Sequence, residues 1–182
     1  MSDPFQVVST ARLLHSSVFD VERRTIKGEG VVFDRDVVTH MGAVAVVAID
    51  DQGRAGLIRQ YRAPIDAMNL EIPAGTLDVE GESPLDAAKR ELLEELGCTA
   101  RKWTLLGRFL VSPGWTNQVM SVYEARDLTV IERAPAGPEE VSASIHWLTA
   151  SDVAALMRND AVLDITSALA LRRVFGNVID RV

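Results

Sequence analysis

The chain has 182 residues, 47% of them apolar and 25% charged, and it carries a formal net charge of −7. This length and apolar content suffice to bury one hydrophobic core, so we expect one domain, or one domain with a small appended element. The acidic balance and the lack of a Lys- and Arg-rich stripe argue against a protein that binds nucleic acid through its phosphates.

The cysteine count and the apolar runs indicate the compartment. Cys98 is the single cysteine, which excludes an intrachain disulfide and suits a reducing compartment. No apolar run approaches the ~20 residues that span a bilayer. The N-terminal residues lack the charged and apolar regions of a signal peptide. We therefore expect a cytoplasmic protein without a membrane partner.

The N-terminal part of the chain alternates in the manner of β-strands. Val, Ile, Thr and Phe recur there between short polar breaks, which predicts strands. The predicted segments are Phe5–Leu14, Ser17–Lys27, Glu29–Arg35 and Val37–Ile49. We assign residues 1–40 to an N-terminal β-strand region and residues 41–182 to the main domain.

The rest of the chain mixes strands with helices. Asp50–Gly53 is predicted as the turn of a hairpin, and Ile131–Val141 as a long loop. The predicted strands are Gly56–Arg62, Leu70–Gly75, Thr104–Val111, Gln118–Arg126 and Ser144–Leu148, and two C-terminal helices are Ser151–Arg158 and Ile165–Phe175. Strands outnumber helices, and the helices interrupt or follow them, which predicts a mixed α/β or α+β architecture.

A further predicted helix carries three carboxylates near its end. Ser83 is a good N-cap for this helix and Gly97 a good stop. Glu91, Glu94 and Glu95 lie towards its C-terminus, where acidic groups oppose the helix dipole. Glu91 and Glu95 also repel each other at i, i+4 by roughly 0.2–0.5 kcal/mol. A divalent cation among the carboxylates would remove both penalties, so the pattern predicts a metal site.

This region resembles the Nudix box, written GX5EX7REUXEEXGU with U aliphatic. Seven residues separate Glu82 from Arg90, as in the box, but six rather than five separate Gly75 from Glu82, and Cys98 takes the last aliphatic position. The extra residue falls in a predicted turn, where insertions are tolerated, and cysteine can act as a small hydrophobe. The resemblance implies a Nudix-type α/β/α sandwich with a mixed β-sheet and an N-terminal β-rich extension.

The same resemblance implies hydrolysis of a pyrophosphate bond with Mg²⁺, for which Mn²⁺ can substitute. Such ions bind hard carboxylate oxygens, neutralise the pyrophosphate and lower the pKa of the attacking water. The implied metal ligands are Glu91 and Glu95, with the Ala74 carbonyl nearby. Glu94 would share a second metal or orient the ligands, and Glu82 would be a peripheral ligand, directly or through water.

Two further catalytic roles follow from the resemblance. Arg90, at i, i+4 from Glu94, would orient a carboxylate rather than touch substrate. In the ADP-ribose pyrophosphatase subfamily the general base is a Glu on a mobile loop downstream of the box, and residues 138–141 form such a loop here. We favour Glu140 as the base, then Glu139, against the alternative of a solvent-facing acidic loop.

Features outside the box resemble the ADP-ribose subfamily. Pro113 lies fifteen residues after Cys98, near the position of a subfamily marker, although an ordinary turn is the alternative. Arg62 resembles a substrate-binding arginine, and its planar donors suit a diphosphate. An outward-facing strand residue is the alternative for Arg62. We rank Arg59 below it, and we add Glu71, on the strand entering the box, to the substrate-binding candidates.

The N-terminal strands are predicted to serve dimerisation. The resemblance implies that strands of a partner subunit help to form the adenosine site, with Phe19, Glu22 and Arg23 as candidates. We expect a homodimeric ADP-ribose pyrophosphatase acting on a small nucleotide sugar. One alternative is another nucleoside diphosphate sugar such as GDP-mannose. A second is a non-catalytic Nudix-like sensor, which the retained box glutamates disfavour.

Overall fold

The computed structural model describes residues 4–135, 138–158 and 164–179, without the side chains of Pro138 and Glu139. The chain forms two compact units. The first unit comprises residues 1–42 and 110–119, and the second comprises residues 43–109 and 120–182.

The first unit is built on a three-stranded antiparallel sheet. Its strands are β1 (Phe5–His15), β2 (Phe19–Gly28) and β3 (Val31–His40), in the order β1-β2-β3. The turn between β2 and β3 places Glu29 and Gly30 at positive φ, which glycine adopts at little cost.

Two predicted strand boundaries are wrong. The pattern predicts separate strands over Glu29–Arg35 and Val37–Ile49, but β3 runs through residues 35–37 and ends at His40. The chain breaks instead at Gly42, whose φ of 104° lies in the region that favours glycine.

The second unit contains a mixed seven-stranded sheet. Its strands are β4 (Ala43–Ile49), β5 (Ala55–Arg62), β6 (Ala67–Glu71), β7 (Ala74–Thr76), β8 (Cys98–Leu110), β9 (Val119–Val130) and β10 (Ser144–Leu148). The order is β10-β5-β4-β9-β8, with β6 paired to β5 and β7 paired to β4. Strands β4 and β9 run parallel, whereas β5 is antiparallel to β4, β6 and β10.

The strand predicted over Leu70–Gly75 is divided into β6 and β7. Pro73 lies at the break, and it has no backbone N–H to donate to a sheet ladder. Its carbonyl accepts a hydrogen bond from the Val46 N–H at 2.8 Å. The break therefore leaves Ala74 and Gly75 in a short strand of their own, beside the centre of the sheet.

The helices are α1 (Pro84–Leu96), α2 (Pro138–Val141), α3 (Ala150–Arg158) and α4 (Ile165–Ile179). The short helix α2 corrects the prediction of an unbroken loop over residues 131–141. Every residue of β4 is buried, and both α1 and α4 pack on this strand. Residues of β4 with even numbers join the core cluster that contains Ala88 and Leu92 of α1, and alternation turns the odd ones to the opposite face. Among the described helices, none is long and apolar enough to cross a membrane.

Candidate active site

Helix α1 presents the acidic residues at a fixed place beside the sheet. Ser83 caps its N-terminus by accepting a hydrogen bond from the Asp86 N–H at 3.2 Å. Gly97 ends it in the left-handed conformation, with φ of 63°. The buried face includes Ala88 and Leu92, both fully shielded from solvent. The packing of this face fixes the rotation of the helix and hence the direction of its carboxylates.

Two carboxylates of α1 are buried. Glu91 and Glu95 are only 5% and 2% exposed. The Glu95 Oε2 accepts a hydrogen bond from the Ala74 N–H at 2.8 Å, which joins α1 to β7. A Cβ built on Gly75 would overlap the Glu91 carboxylate. Glycine is therefore required at position 75 because a carboxylate packs directly against its backbone.

Arg90 donates hydrogen bonds to three carboxylates, one of which is Glu91 of this pair. Its Nη1 donates to Glu91 Oε1 at 2.6 Å and to Glu94 Oε2 at 3.1 Å. Its Nε and Nη2 donate to the two oxygens of Glu82 at 3.2 and 3.1 Å. The structure thus brings Glu82, Glu91 and Glu94 together on one guanidinium, which limits the directions in which they can point.

Burial changes the acidity of the two central carboxyl groups. It raises the pKa of Glu91 to about 7, opposed by Arg90. It raises the pKa of Glu95 to about 8, opposed by the hydrogen bond from the Ala74 N–H. Both groups resist ionisation because water is largely excluded from them. A cation placed between them would favour their charged forms.

The donor chemistry fits a hard divalent cation. Buried carboxylates without enough positive charge are the groups that such an ion stabilises. Within the residues that the structure describes, no group of three or more His, Cys, Asp or Glu side chains is already arranged to hold a metal ion. The fit therefore rests on the donor set of Glu91, Glu94 and Glu95 and not on a preformed geometry.

Glu140, on helix α2, acts electrostatically on the same carboxylates. The charge of Glu140 contributes to the raised pKa values of both Glu91 and Glu95. Glu140 therefore lies within electrostatic range of both groups. The Glu139 side chain lies outside the described residues. The choice between Glu140 and Glu139 as the general base stays a prediction.

Arg62 belongs to a polar network that is buried at Glu71 and Gln60 and half-exposed at Arg62 itself. Its Nε donates to Glu71 Oε1 at 2.7 Å, and Glu71 is only 6% exposed. Gln60 Nε2 donates to the same oxygen at 2.6 Å and approaches Glu95 Oε1 at 3.4 Å. Asn69 donates to the other Glu71 oxygen at 2.9 Å. Glu71 is thus held by donors from three side chains, and Gln60 connects it to the box.

Sequence reasoning missed Gln60 and ranked Arg59 among the substrate ligands. Strand alternation places Gln60 and Arg62 on one face of β5 and Arg59 on the other. Arg59 is exposed, and its role towards substrate stays a prediction. The signal for Gln60 was available, since it lies two positions before Arg62 and therefore on the same face of β5.

Four substrate candidates, Phe19, Glu22, Arg23 and Pro113, lie in the first unit. Glu22 accepts hydrogen bonds from Arg24. Arg23 forms an exposed, two-pronged ion pair with Asp36 at 2.7 and 2.8 Å. Phe19 lines a surface pocket of about 330 Å³. Pro113 begins an exposed turn. Within that unit nothing tests their roles towards substrate, so these four assignments stay predictions.

Comparison with known proteins decides the family. The family profile described as NUDIX domain matches residues 39–168. The chain belongs to the Nudix family.

Relatives with similar sequences span most of this Nudix chain. An ADP-ribose pyrophosphatase of Mycobacterium tuberculosis is 36% identical over 167 residues, covering 90% of this chain and 80% of that protein. An ADP-ribose pyrophosphatase of Bacillus subtilis is 36% identical over 143 residues, covering 79% and 77%. A crystal structure of ADP compounds hydrolase superposes with a TM-score of 0.83 at 23% identity, covering 98% of this chain and 96% of that chain. The structural likeness shows that the Nudix fold is shared.

The two departures from the Nudix box have structural explanations. The extra residue between Gly75 and Glu82 is absorbed in a turn, closed by a hydrogen bond from the Glu82 N–H to the Val79 carbonyl at 3.1 Å. Cys98 is 1% exposed and belongs to the core cluster that contains Leu92, so it packs as the aliphatic residue of the pattern does. Both departures leave the box carboxylates in place.

Proposed function

We propose that this Nudix hydrolase cleaves the pyrophosphate bond of ADP-ribose, giving AMP and ribose 5-phosphate. The observation that carries the reaction type is the buried pair Glu91 and Glu95, packed against Gly75 and Ala74. The relatives named ADP-ribose pyrophosphatase, at 36% identity, support the substrate. Mg²⁺ is the proposed cofactor, with Mn²⁺ as a substitute.

Each residue of the box has a proposed task. Glu91 and Glu95 would hold the divalent ion, which when bound supplies charge neutralisation of the diphosphate and a more acidic water. Glu94 would assist them, and Glu82 would contribute from the periphery. Arg90 would keep these carboxylates oriented through the hydrogen bonds that it makes to Glu82, Glu91 and Glu94. The Ala74 carbonyl is proposed as a further oxygen ligand.

Substrate and water would be handled by residues outside helix α1. Arg62 would bind the diphosphate with the guanidinium edge that Glu71 leaves open, since Glu71 receives both its Nε and its Nη2. Glu140 would accept the proton of the attacking water, supported by the effect of its charge on Glu91 and Glu95. Phe19, Arg23 and Pro113 remain candidates for the adenosine side, and Glu139 the second candidate base.

The experiment that tests this function is a hydrolysis panel with product identification. ADP-ribose, GDP-mannose and other nucleoside diphosphate sugars would each be incubated with Mg²⁺, with Mn²⁺ and with a chelator. Formation of AMP and ribose 5-phosphate from ADP-ribose, abolished by the chelator, is expected. A faster reaction with GDP-mannose would make GDP-mannose, and not ADP-ribose, the preferred substrate. Tight binding of ADP-ribose without turnover would favour the sensor alternative.

We also propose a homodimer in the cytoplasm. Apolar side chains of the three-stranded sheet are exposed in the isolated chain, including Val7, Leu13 and Val32 at 54%, 51% and 62%. Such a surface favours association. The single buried thiol, Cys98, supports a reducing compartment. Size-exclusion chromatography with light scattering tests the dimer. A monomeric mass would reject the proposal of a dimer.

A further inference from the structure

Arg133 makes a set of contacts that its position in a loop does not explain. It follows β9, and its guanidinium donates to two backbone carbonyls near helix α2. Nη2 donates to the Glu140 carbonyl at 2.9 Å, and Nη1 donates to the Ala143 carbonyl at 3.3 Å. One planar guanidinium therefore binds the backbone of helix α2 at Glu140 and the backbone just after the helix at Ala143.

The other end of this side chain is fixed against helix α1. A Cβ built on Gly97 would lie 2.8 Å from Arg133 Cγ and 2.8 Å from the Ile131 carbonyl oxygen. The Ile131 N–H donates to the Gly97 carbonyl at 2.7 Å. Residues 131–133 are thus docked on the end of the helix that carries Glu91 and Glu95. Arg133 connects this anchor to the backbone that carries Glu140.

An arginine at this place carries a cost to stability that its two hydrogen bonds must offset. Its Nε is buried and has no hydrogen-bond partner among the described residues. A buried donor without a partner costs about 1–3 kcal/mol. A methionine would retain the aliphatic packing on Gly97 without that cost. What methionine lacks is the planar pair of donors that reaches the Glu140 and Ala143 carbonyls.

We propose that Arg133 is a positioning residue, which holds the backbone of Glu140 at a fixed place relative to helix α1 so that the Glu140 carboxylate meets the attacking water. This inference rests on the proposed function, in which Glu140 is the general base. A misplacement of a catalytic group by about 1 Å can cost on the order of 10²-fold in rate. The effect of Arg133 should therefore appear in kcat and act through Glu140.

A double-mutant cycle tests the proposal in the full chain. Arg133→Met should lower kcat for ADP-ribose by about tenfold or more with little change in KM, and Arg133→Lys, with a single point donor, should recover part of the loss. In the Glu140→Gln background, Arg133→Met should have no further effect. Arg101→Met removes an 83% exposed arginine side chain of β8 and serves as the matched control. An unchanged kcat in Arg133→Met would overturn the proposal. So would a loss of kcat in the double variant equal to the product of the losses in the two single variants.

Amide hydrogen exchange separates this inference from the proposed function. The Ala143 N–H donates to the Glu140 carbonyl at 3.1 Å, so loss of the arginine fork should speed exchange at Ala143 while helix α1 keeps its protection. Equal exchange in wild type and Arg133→Met would contradict the positioning role even if ADP-ribose is hydrolysed. Faster exchange in Arg133→Met, in a protein that hydrolyses no nucleotide sugar, would support the contact between Arg133 and the Glu140 backbone. It would reject the proposed function instead.

Discussion

Gly75 and Glu91 are packed so closely that no methyl group fits between the glycine backbone and the carboxylate. The two residues lie on different elements, β7 and α1, and meet only because the strand and the helix flank the same part of the sheet. The backbone of the box glycine therefore makes the packing contact that fixes the position of the buried Glu91 carboxylate. Its role is close approach, since Gly75 does not have a positive φ.

Gly75→Ala should displace the Glu91 carboxylate and lower metal-dependent turnover by at least about tenfold, because misplaced ligands lose binding energy. Overpacking of this kind should also lower the free energy of unfolding by about 1–3 kcal/mol. Hydrolysis kinetics and chemical denaturation measure the two effects. Gly176→Ala is the matched control, since a Cβ there meets nothing within 4 Å. Equal turnover in the two variants would show that the contact between Gly75 and Glu91 is unimportant.

Glu95→Gln should nearly abolish Mg²⁺-dependent turnover while leaving the fold intact. The amide keeps the size of the side chain and an oxygen for the Ala74 N–H, but it lacks the charge that a divalent ion requires. Turnover and circular dichroism are the measurements. The exposed Glu80, in the turn before α1, provides Glu80→Gln as a control that should remain active. Full activity in Glu95→Gln would remove Glu95 from the metal site.

The metal-free protein should become less stable as the pH rises. Burial raises the pKa of folded Glu95 to about 8 from an ordinary 4.5, so folding favours the protonated form. Its contribution to stability is complete below 4.5 and is lost as the pH rises through about 8. Denaturation in chelator should show this decline, which Glu95→Gln should reduce. Added Mg²⁺ should restore stability most at the alkaline end, and a flat profile in chelator would contradict the burial argument.

Glu140→Gln should lower kcat far more than KM, because a general base acts in the chemical step and contributes little to substrate binding. We expect a loss of at least about 10²-fold. Steady-state kinetics with ADP-ribose and Mg²⁺ give the comparison. Glu139→Gln is the neighbouring control. If kcat falls in Glu139→Gln and not in Glu140→Gln, the role of base belongs to Glu139.

Gln60→Met should weaken both the Arg62 network and the metal site. The substitution keeps the volume of a buried, 2% exposed side chain, but removes the donor that lies between Glu71 and Glu95. Leaving these carboxylates with one donor fewer should cost about 1–3 kcal/mol of stability and raise the Mg²⁺ concentration needed for half-maximal activity. Thermal unfolding and metal titration are the measurements. An unchanged metal requirement would show that Gln60 does not act on Glu95.

The sequence was sufficient for the features that depend on local spacing. The cap at Ser83, the stop at Gly97 and the helical period placed Glu91 and Glu95 on one edge of α1, and the box named the family. Local pattern was weaker at boundaries, where Gly42 and Pro73 divided predicted strands. It also missed helix α2, because four residues provide too little periodicity to be recognised.

Only the tertiary structure decided how the box is completed. Contacts between segments far apart in the chain determine which carboxylate packs on Gly75 and which donors hold Glu71. They also determine whether the charge of Glu140 acts on Glu91. Arg133 illustrates the difference most clearly, since nothing in residues 131–135 indicates that its guanidinium holds the carbonyls of Glu140 and Ala143. Local spacing fixes which side chains share a face of one element, whereas the packing of elements on the sheet fixes which faces meet.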